Sequence, residues 1–151
     1  MTICFKKMKE NATIPVFGHN DDTNFGIDFY ACLDKIIILA PGTGVDVPTG
    51  VAWMPIDVPY NHKAGMIIQS RSGLAIKDGI EASNAGVIDE SYRGMIMIRM
   101  YNMGKKEFVI EPGMRIAQGI IYTVPKYAIV EVNEIDETER GERGFGSSGR
   151  M

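Results

Sequence analysis

At 151 residues and 45% apolar, the chain fits one globular domain large enough to bury a core of its own. Sixteen basic residues against nineteen acidic ones give a formal net charge of -3 and a pI near 5.4. That balance excludes a general electrostatic footprint for nucleic acid or an anionic membrane, although local arginines can still meet a small polyanion.

Two lone cysteines, Cys4 and Cys32, lack the spacing of a zinc site or a redox pair and read as reduced, buried thiols. The first ten residues are too short for a secretory signal, and no apolar run reaches membrane-spanning length, so a soluble intracellular protein is expected. Residues 3–8 open as a strand, and the polar, turn-rich residues 18–24 follow. His19 has no ligand-like partner nearby and His62 stands alone in a Pro/Asn/Lys loop. Both read as solvated loop histidines, which leaves a histidine metal site or nucleophile relay little support. Asp28 interrupts the aromatic strand 26–31 and is assigned to its wet face. Residues 36–39 end at Pro41-Gly42, 43–47 at Pro48 and 51–54 at Pro55. Short strands so punctuated predict an all-β sandwich or barrel, with no sustained helical periodicity in this half.

Residues 65–69 run into Ser70-Arg71-Ser72-Gly73-Leu74-Ala75, where a strand stops at a cation, a hydroxyl and a glycine. Alone this is a common strand end, but its donors also make a phosphate cradle. In residues 82–94, two short apolar pieces meet around Asn84-Ala85-Gly86, and Asp89, Tyr92 and Arg93 follow before Gly94. The pattern reads as a hairpin with chemistry on its shoulder, or, taken in isolation, as a turn whose Asp89 caps the backbone. Residues 95–101 are apolar on both faces, which predicts that part of the core lies between subunits. A second hairpin is predicted from 108–110 through Glu111-Pro112-Gly113 to 115–122. In it, Gln118 reads as a buried amide satisfied by neighbouring backbone. Val130 and Val132 would close the last strand. The tail from Glu137 to Arg150 cannot build a core and reads as a flexible terminus. It nevertheless gathers arginines, adjacent hydroxyls, glycines and one ring, the ingredients for wrapping a phosphorylated base. Gly141 to Gly146 followed by Ser147-Ser148 has a P-loop-like spacing, but without that motif's lysine and helix an ATPase is excluded.

Five stretches in this order closely resemble the homotrimeric dUTPase family, the dUTP diphosphatases. They are Gly26-Ile27-Asp28-Phe29, Arg71-Ser72-Gly73-Leu74-Ala75, Gly86-Val87-Ile88-Asp89 through Tyr92-Arg93-Gly94, Gly113-Met114-Arg115-Ile116-Ala117-Gln118, and Arg140-Gly141 through Gly144-Phe145-Gly146-Ser147-Ser148-Gly149. The resemblance implies a jelly-roll-like, distorted β-barrel over residues 1–136, with a flexible arm, 137–151, that closes over the site. It implies a homotrimer whose sites are shared between chains, and hydrolysis of dUTP to dUMP and pyrophosphate. That activity limits uracil in DNA and supplies dUMP for dTMP synthesis. Neither nucleic acid nor membrane is an expected partner.

By the same resemblance, Asn84 and the main chain of Gly86, Val87 and Ile88 would receive uracil and leave no room for the methyl of thymine. Tyr92 would pack beneath the deoxyribose. Asp89 would hold and deprotonate the water that attacks the α-phosphorus, which requires placement within hydrogen-bond reach of that water. Arg71, Ser72 and Gly73 would bind the phosphate chain, and Gln118 would sit near the α-phosphate and the water. Phe145 would stack on uracil while Arg140, Gly146, Ser147 and Ser148 close on the outer phosphates. Asp28 would be a supporting carboxylate. Mg2+ is expected, held mainly by the triphosphate and water, so no protein metal ligand is named. The chain departs from the family pattern at Phe25, Ser70, Met114 and Arg143, and Arg143 bears on the backbone path of the tail. Two alternatives stay open: a dCTP deaminase on a related fold, which would release ammonia, and a nucleotide-gated regulator of a protein partner.

Overall fold

The computed structural model describes residues 1–18, 23–84, 86–142 and 144. Among these the proline and glycine punctuation produces twelve strands and one helix. In chain order they are β1 (Thr2–Lys7), β2 (Val16–Phe17), β3 (Ile27–Tyr30), β4 (Ile37–Leu39), β5 (Gly44–Pro48), β6 (Val51–Ile56), β7 (His62–Gln69), α1 (Ser72–Asp78), β8 (Ile80–Ser83), β9 (Ile88–Asp89), β10 (Met97–Asn102), β11 (Phe108–Ile110) and β12 (Arg115–Pro125). They assemble into a five-stranded sheet, β2-β3-β12-β7-β9, a three-stranded sheet, β5-β10-β8, and two pairs, β1-β6 and β11-β4. The pairings are antiparallel. This is an all-β, jelly-roll-like architecture.

Side-chain alternation along the strands decides where the core sits. In β7 the buried residues are Ala64, Met66 and Ile68, and in β10 they are Ile98, Met100 and Asn102. These inward rows join Phe29, Val51, Trp53, Ile80, Ile110 and Ile116 in one apolar cluster. Each large side chain so buried contributes about 1.5–3 kcal/mol, so the sheets are held together chiefly across this cluster. Asn102 is the polar exception. Its Nδ2 donates to the carbonyls of Leu39 and Lys106, each at 2.8 Å, and its Oδ1 accepts from the Gly104 amide at 2.9 Å. The buried amide is thereby fully used to fix the turn after β10.

Several sequence expectations are corrected. Residues 72–75 begin a helix rather than a simple strand end. Only Leu74 of α1 is buried, and Ile76 is exposed, so no apolar stripe advertised the helix. It stops where Gly79 adopts the left-handed conformation, with φ of 69°, and its amide donates to Ala75 O. The limbs of residues 82–94 do not pair with each other, since β8 joins β10 and β9 joins β7. Likewise β11 pairs with β4, while β12 pairs with β3 and β7, so the Glu111-Pro112-Gly113 turn passes between sheets. In both cases the stretch between strands re-aims the chain, and the apolar pattern could not say which strand would be the partner.

Val130 and Val132 close no strand. They lie exposed beyond β12, where the chain has no pairing partner. The outward residues of β10, Met97 and Tyr101, are also substantially exposed, so no second covering of this strand is made among the described residues. His62 begins β7 instead of lying in a solvated loop, and it is half-buried. Cys32 is buried and Cys4 half-buried, and both are free. His19 lies outside the described residues. Among those residues no helix is long and apolar enough to cross a membrane.

Gly119 lies at a close approach of β12 to the core side chains Phe29 and Met66. A Cβ there would come within 2.6 Å of Phe29 Cε2 and 2.9 Å of Met66 Sδ. Gly119→Ala is expected to lower stability by about 1–3 kcal/mol through overpacking. Urea denaturation would check this, and an unchanged midpoint would show that the Phe29 ring yields freely.

Candidate active site

The site begins with an uneven edge. β7 is paired to β12 from His62↔Pro125 to Gln69↔Gln118, but on its other edge β9 meets it only at Gly65↔Asp89 and Met66↔Ile88. Farther along that edge, side chains take the place of the ladder. Asn84 Oδ1 accepts from the Ile68 amide at 3.3 Å, and Ser70 Oγ accepts from the Ala82 amide at 2.8 Å. Ser70 also bonds the Glu81 carboxylate. Between these side-chain links and β9 the described residues Gly86 and Val87 form no ladder with β7 and are exposed. Asn and Ser at these positions compete with backbone pairing, which opens the edge without leaving it unsatisfied.

A cleft of about 230 Å³ forms at this opening, lined by Asn84, Val87, Ile88, Asp89, Tyr92, Ile96 and Met97. Five of these seven were singled out from the sequence. Ile88 is buried and forms the inner wall, while the Asp89 side chain is on an exposed residue. The Tyr92 hydroxyl donates to Met95 O at 3.1 Å, which holds the ring across the cleft while its amide donates to Asp89 O at 3.0 Å. Glu90 faces away from this chemistry, its Oε2 accepting the Ala64 amide at 2.8 Å. Behind the cleft, Trp53 Nε1 donates to Asp89 O at 3.2 Å.

The second group lies on β3, β12 and the start of α1. Asp28 is 1% exposed, so its assignment to a wet face is overturned. A carboxylate so buried needs partners. Arg71 Nε approaches Oδ1 at 3.1 Å, Arg115 Nη1 approaches Oδ2 at 3.2 Å, and Gln118 Nε2 donates to Oδ1 at 3.4 Å. Arg71 Nη1 also donates to Arg115 O at 3.4 Å. One negative charge faces two positive ones. The surplus cation and unused guanidinium donors make this an anion-receiving surface. Gln118 is half-buried and satisfied by a side chain rather than by backbone. Ser72 and Gly73 follow Arg71 as exposed residues at the start of α1. Arg115 had no role assigned from the sequence, although its place two residues before Ala117-Gln118 put it in a quoted motif. The signal that could have found it is the bulge between Arg115 and Ala117, and a bulge is not visible in an apolar pattern.

The two groups stay apart within one chain. Direct register partners share a sheet face, so Asp28, Gln118, Gln69, Gly65 and Asp89 all belong to the same face. Gln118 and Asp89 nevertheless lie on opposite sides of β7 and four residues apart along it, about 13 Å along the strand and about 10 Å across. Arg140 is described and exposed beyond the last strand, whereas Phe145, Gly146, Ser147, Ser148 and Arg143 lie outside the described residues. Among the described residues no group of three His, Cys, Asp or Glu could hold a metal ion.

A family model described as dUTPase matches residues 12–149. A Caulobacter vibrioides protein named deoxyuridine 5'-triphosphate nucleotidohydrolase is 39% identical over 152 residues, covering 99% of this chain and 95% of that one. A Clostridium tetani protein of the same name is 41% identical over 150 residues, covering 99% and 97%. Among solved structures, a Staphylococcus bacteriophage 80alpha dUTPase with dUPNHPP is similar at a TM-score of 0.80 and 26% identity, covering 98% of each chain.

Asp28→Ala should leave Arg71, Arg115 and Gln118 without their common acceptor. Because both guanidiniums reach solvent, the expected cost is about 2 kcal/mol rather than that of a fully buried orphan charge. Thermal denaturation would check it, and a variant as stable as the parent would mean that the hub is structurally idle.

Proposed function

Because this chain belongs to the dUTPase family and hydrolyses dUTP, we propose a division of that reaction between its two residue groups. The observation that carries the proposal is the register of β7. Asp89 and Gln118 share a sheet face but lie too far apart in one chain to touch one water molecule. A site that uses both takes Asp89 from one subunit and Gln118, Arg71 and Ser72 from another, in a closed homotrimer. The exposed outward face of β10 supports such an assembly, since Met97 lines the cleft and Tyr101 is open to a neighbour.

In this reading uracil enters the cleft between Asn84, Val87 and Ile88, where the main chain freed from β7 offers donors and acceptors. Tyr92, pinned through its hydroxyl, packs against the deoxyribose. Asp89 holds the nucleophilic water and takes its proton as that water attacks the α-phosphorus, and the bond to the bridging oxygen breaks to release pyrophosphate. Arg71, braced by Asp28, meets the charge that accumulates on the leaving group, with Ser72 and the Gly73 amide beside it. Gln118, whose amide nitrogen is committed to Asp28, keeps its oxygen to orient the water. The substrate is the magnesium complex of dUTP, since hard-cation coordination is readily met by phosphate and water oxygens. The arm from residue 137 onward, with Arg140, Phe145, Gly146, Ser147 and Ser148, closes over the bound nucleotide.

Purified protein with magnesium should release pyrophosphate from dUTP but not from dTTP, dCTP or UTP. Asp89→Asn should still bind dUTP with at least 10³-fold slower turnover, on the order of the loss of a general base. Normal turnover in Asp89→Asn would remove Asp89 from the mechanism.

Mixing makes the shared site testable. Asp89→Asn and Arg71→Ala chains, each inactive alone, should regain about a quarter of parental activity after co-refolding in equal amounts, because random assembly around a three-fold axis makes that share of sites intact. Absence of any recovery in verified mixed assemblies would place both groups in one chain's site.

A further inference from the structure

Trp53, the chain's single tryptophan, belongs to no site motif and lies 1% exposed in β6. An indole N–H in an apolar core requires an acceptor, and here it takes the carbonyl oxygen of Asp89 at 3.2 Å. The bond crosses the core from the β1-β6 pair to the far sheet. Asp89 needs such a tie because β9 is only two residues long and is paired on a single edge. Two ladder positions fix the strand's direction well and its depth and roll poorly.

β6 supports a second wall of the same cleft. Val51 O accepts the Ile96 amide at 2.9 Å, and Val51 and Trp53 are two residues apart, as their common buried face requires. Strand β6 thus sits behind both Ile96 and Asp89, holding the first through its backbone and the second through an indole.

We propose that Trp53 is a positioning residue for Asp89, its buried N–H fixing the Asp89 peptide so that the carboxylate meets its water at the correct depth. The inference rests on the reading of Asp89 as the base. Asp89 O also accepts the Tyr92 amide, so loss of the indole N–H leaves no orphaned carbonyl and the turn persists. The effect of the bond is therefore on placement more than on folding.

Trp53→Phe keeps a buried ring and deletes the donor. It should lower kcat about tenfold while KM for dUTP stays within about twofold, as expected for a small displacement of a reacting group. Phe5, the register partner of Trp53 on β1 and an edge-on neighbour of Phe29, supplies the control. Phe5→Leu should lower Tm at least as much as Trp53→Phe yet leave kcat within about twofold, because it removes core packing without touching the bond. In the parent protein the one indole N–H resonance should exchange slowly with deuterium and move when dUMP is added.

A kcat loss in Phe5→Leu equal to that in Trp53→Phe, or rapid exchange of the indole proton, would overturn the proposal. Full kcat in Trp53→Phe beside an inactive Asp89→Asn would refute the role of Trp53 alone. Turnover in Asp89→Asn would refute the reading of the base itself.

Discussion

Strand β7 is laddered along its whole length to β12 on one edge and to β9 at two positions on the other. That asymmetry leaves a cleft in a fold that otherwise pairs its strands closely. A fully paired edge would bury the main chain of Asn84, Gly86 and Val87 in hydrogen bonds. A fully free one would leave β7 amides unsatisfied. Asn84 and Ser70 resolve the conflict by accepting the Ile68 and Ala82 amides through their side chains. The cleft is thus an interruption of pairing whose wall is satisfied by side chains in place of a ladder.

The inner strands β3 and β12 of the same sheet, with Arg71 at the start of α1, carry the charge. Asp28 is a costly residue to bury, and its cost is offset by three side chains from two segments remote from it in sequence: Arg71 before α1, and Arg115 and Gln118 on β12. The arrangement contributes geometry more than stability. Arg71 is held through Nε by Asp28 and through Nη1 by Arg115 O, and holding Gln118 through its nitrogen settles which end of the amide is left over. The two guanidinium groups are thereby fixed around one buried carboxylate by the fold itself.

The apolar core links the two groups mechanically. Inward rows of β7 and β10 share one cluster with Phe29 and Trp53, so the sheet bearing Asp28 and the strands backing the cleft are packed against the same side chains. Gly119 is the closest point of this contact, where β12 passes Phe29 and Met66. Both groups therefore rest on one continuous packed interior.

Much of the fold and most of the candidate cleft were legible in the sequence. Pro/Gly punctuation and strand alternation determined an all-β chain, and the order of five motifs determined the family, because local backbone preference and residue chemistry are both written locally. Asn84, Val87, Ile88, Asp89 and Tyr92 fall within nine consecutive positions, so the sequence alone could gather them. Helix α1 escaped notice because just one of its residues is buried, and the two supposed hairpins failed because alternation marks a strand's faces but not its partner. Only the tertiary structure decided that Asp28 is buried, that Arg115 joins Arg71 upon it, that Trp53 reaches Asp89, and that Asp89 and Gln118 stand apart. Each of those facts concerns how segments distant along the chain are placed relative to one another, which is selected by how the sheets pair and pack rather than by what neighbouring residues prefer.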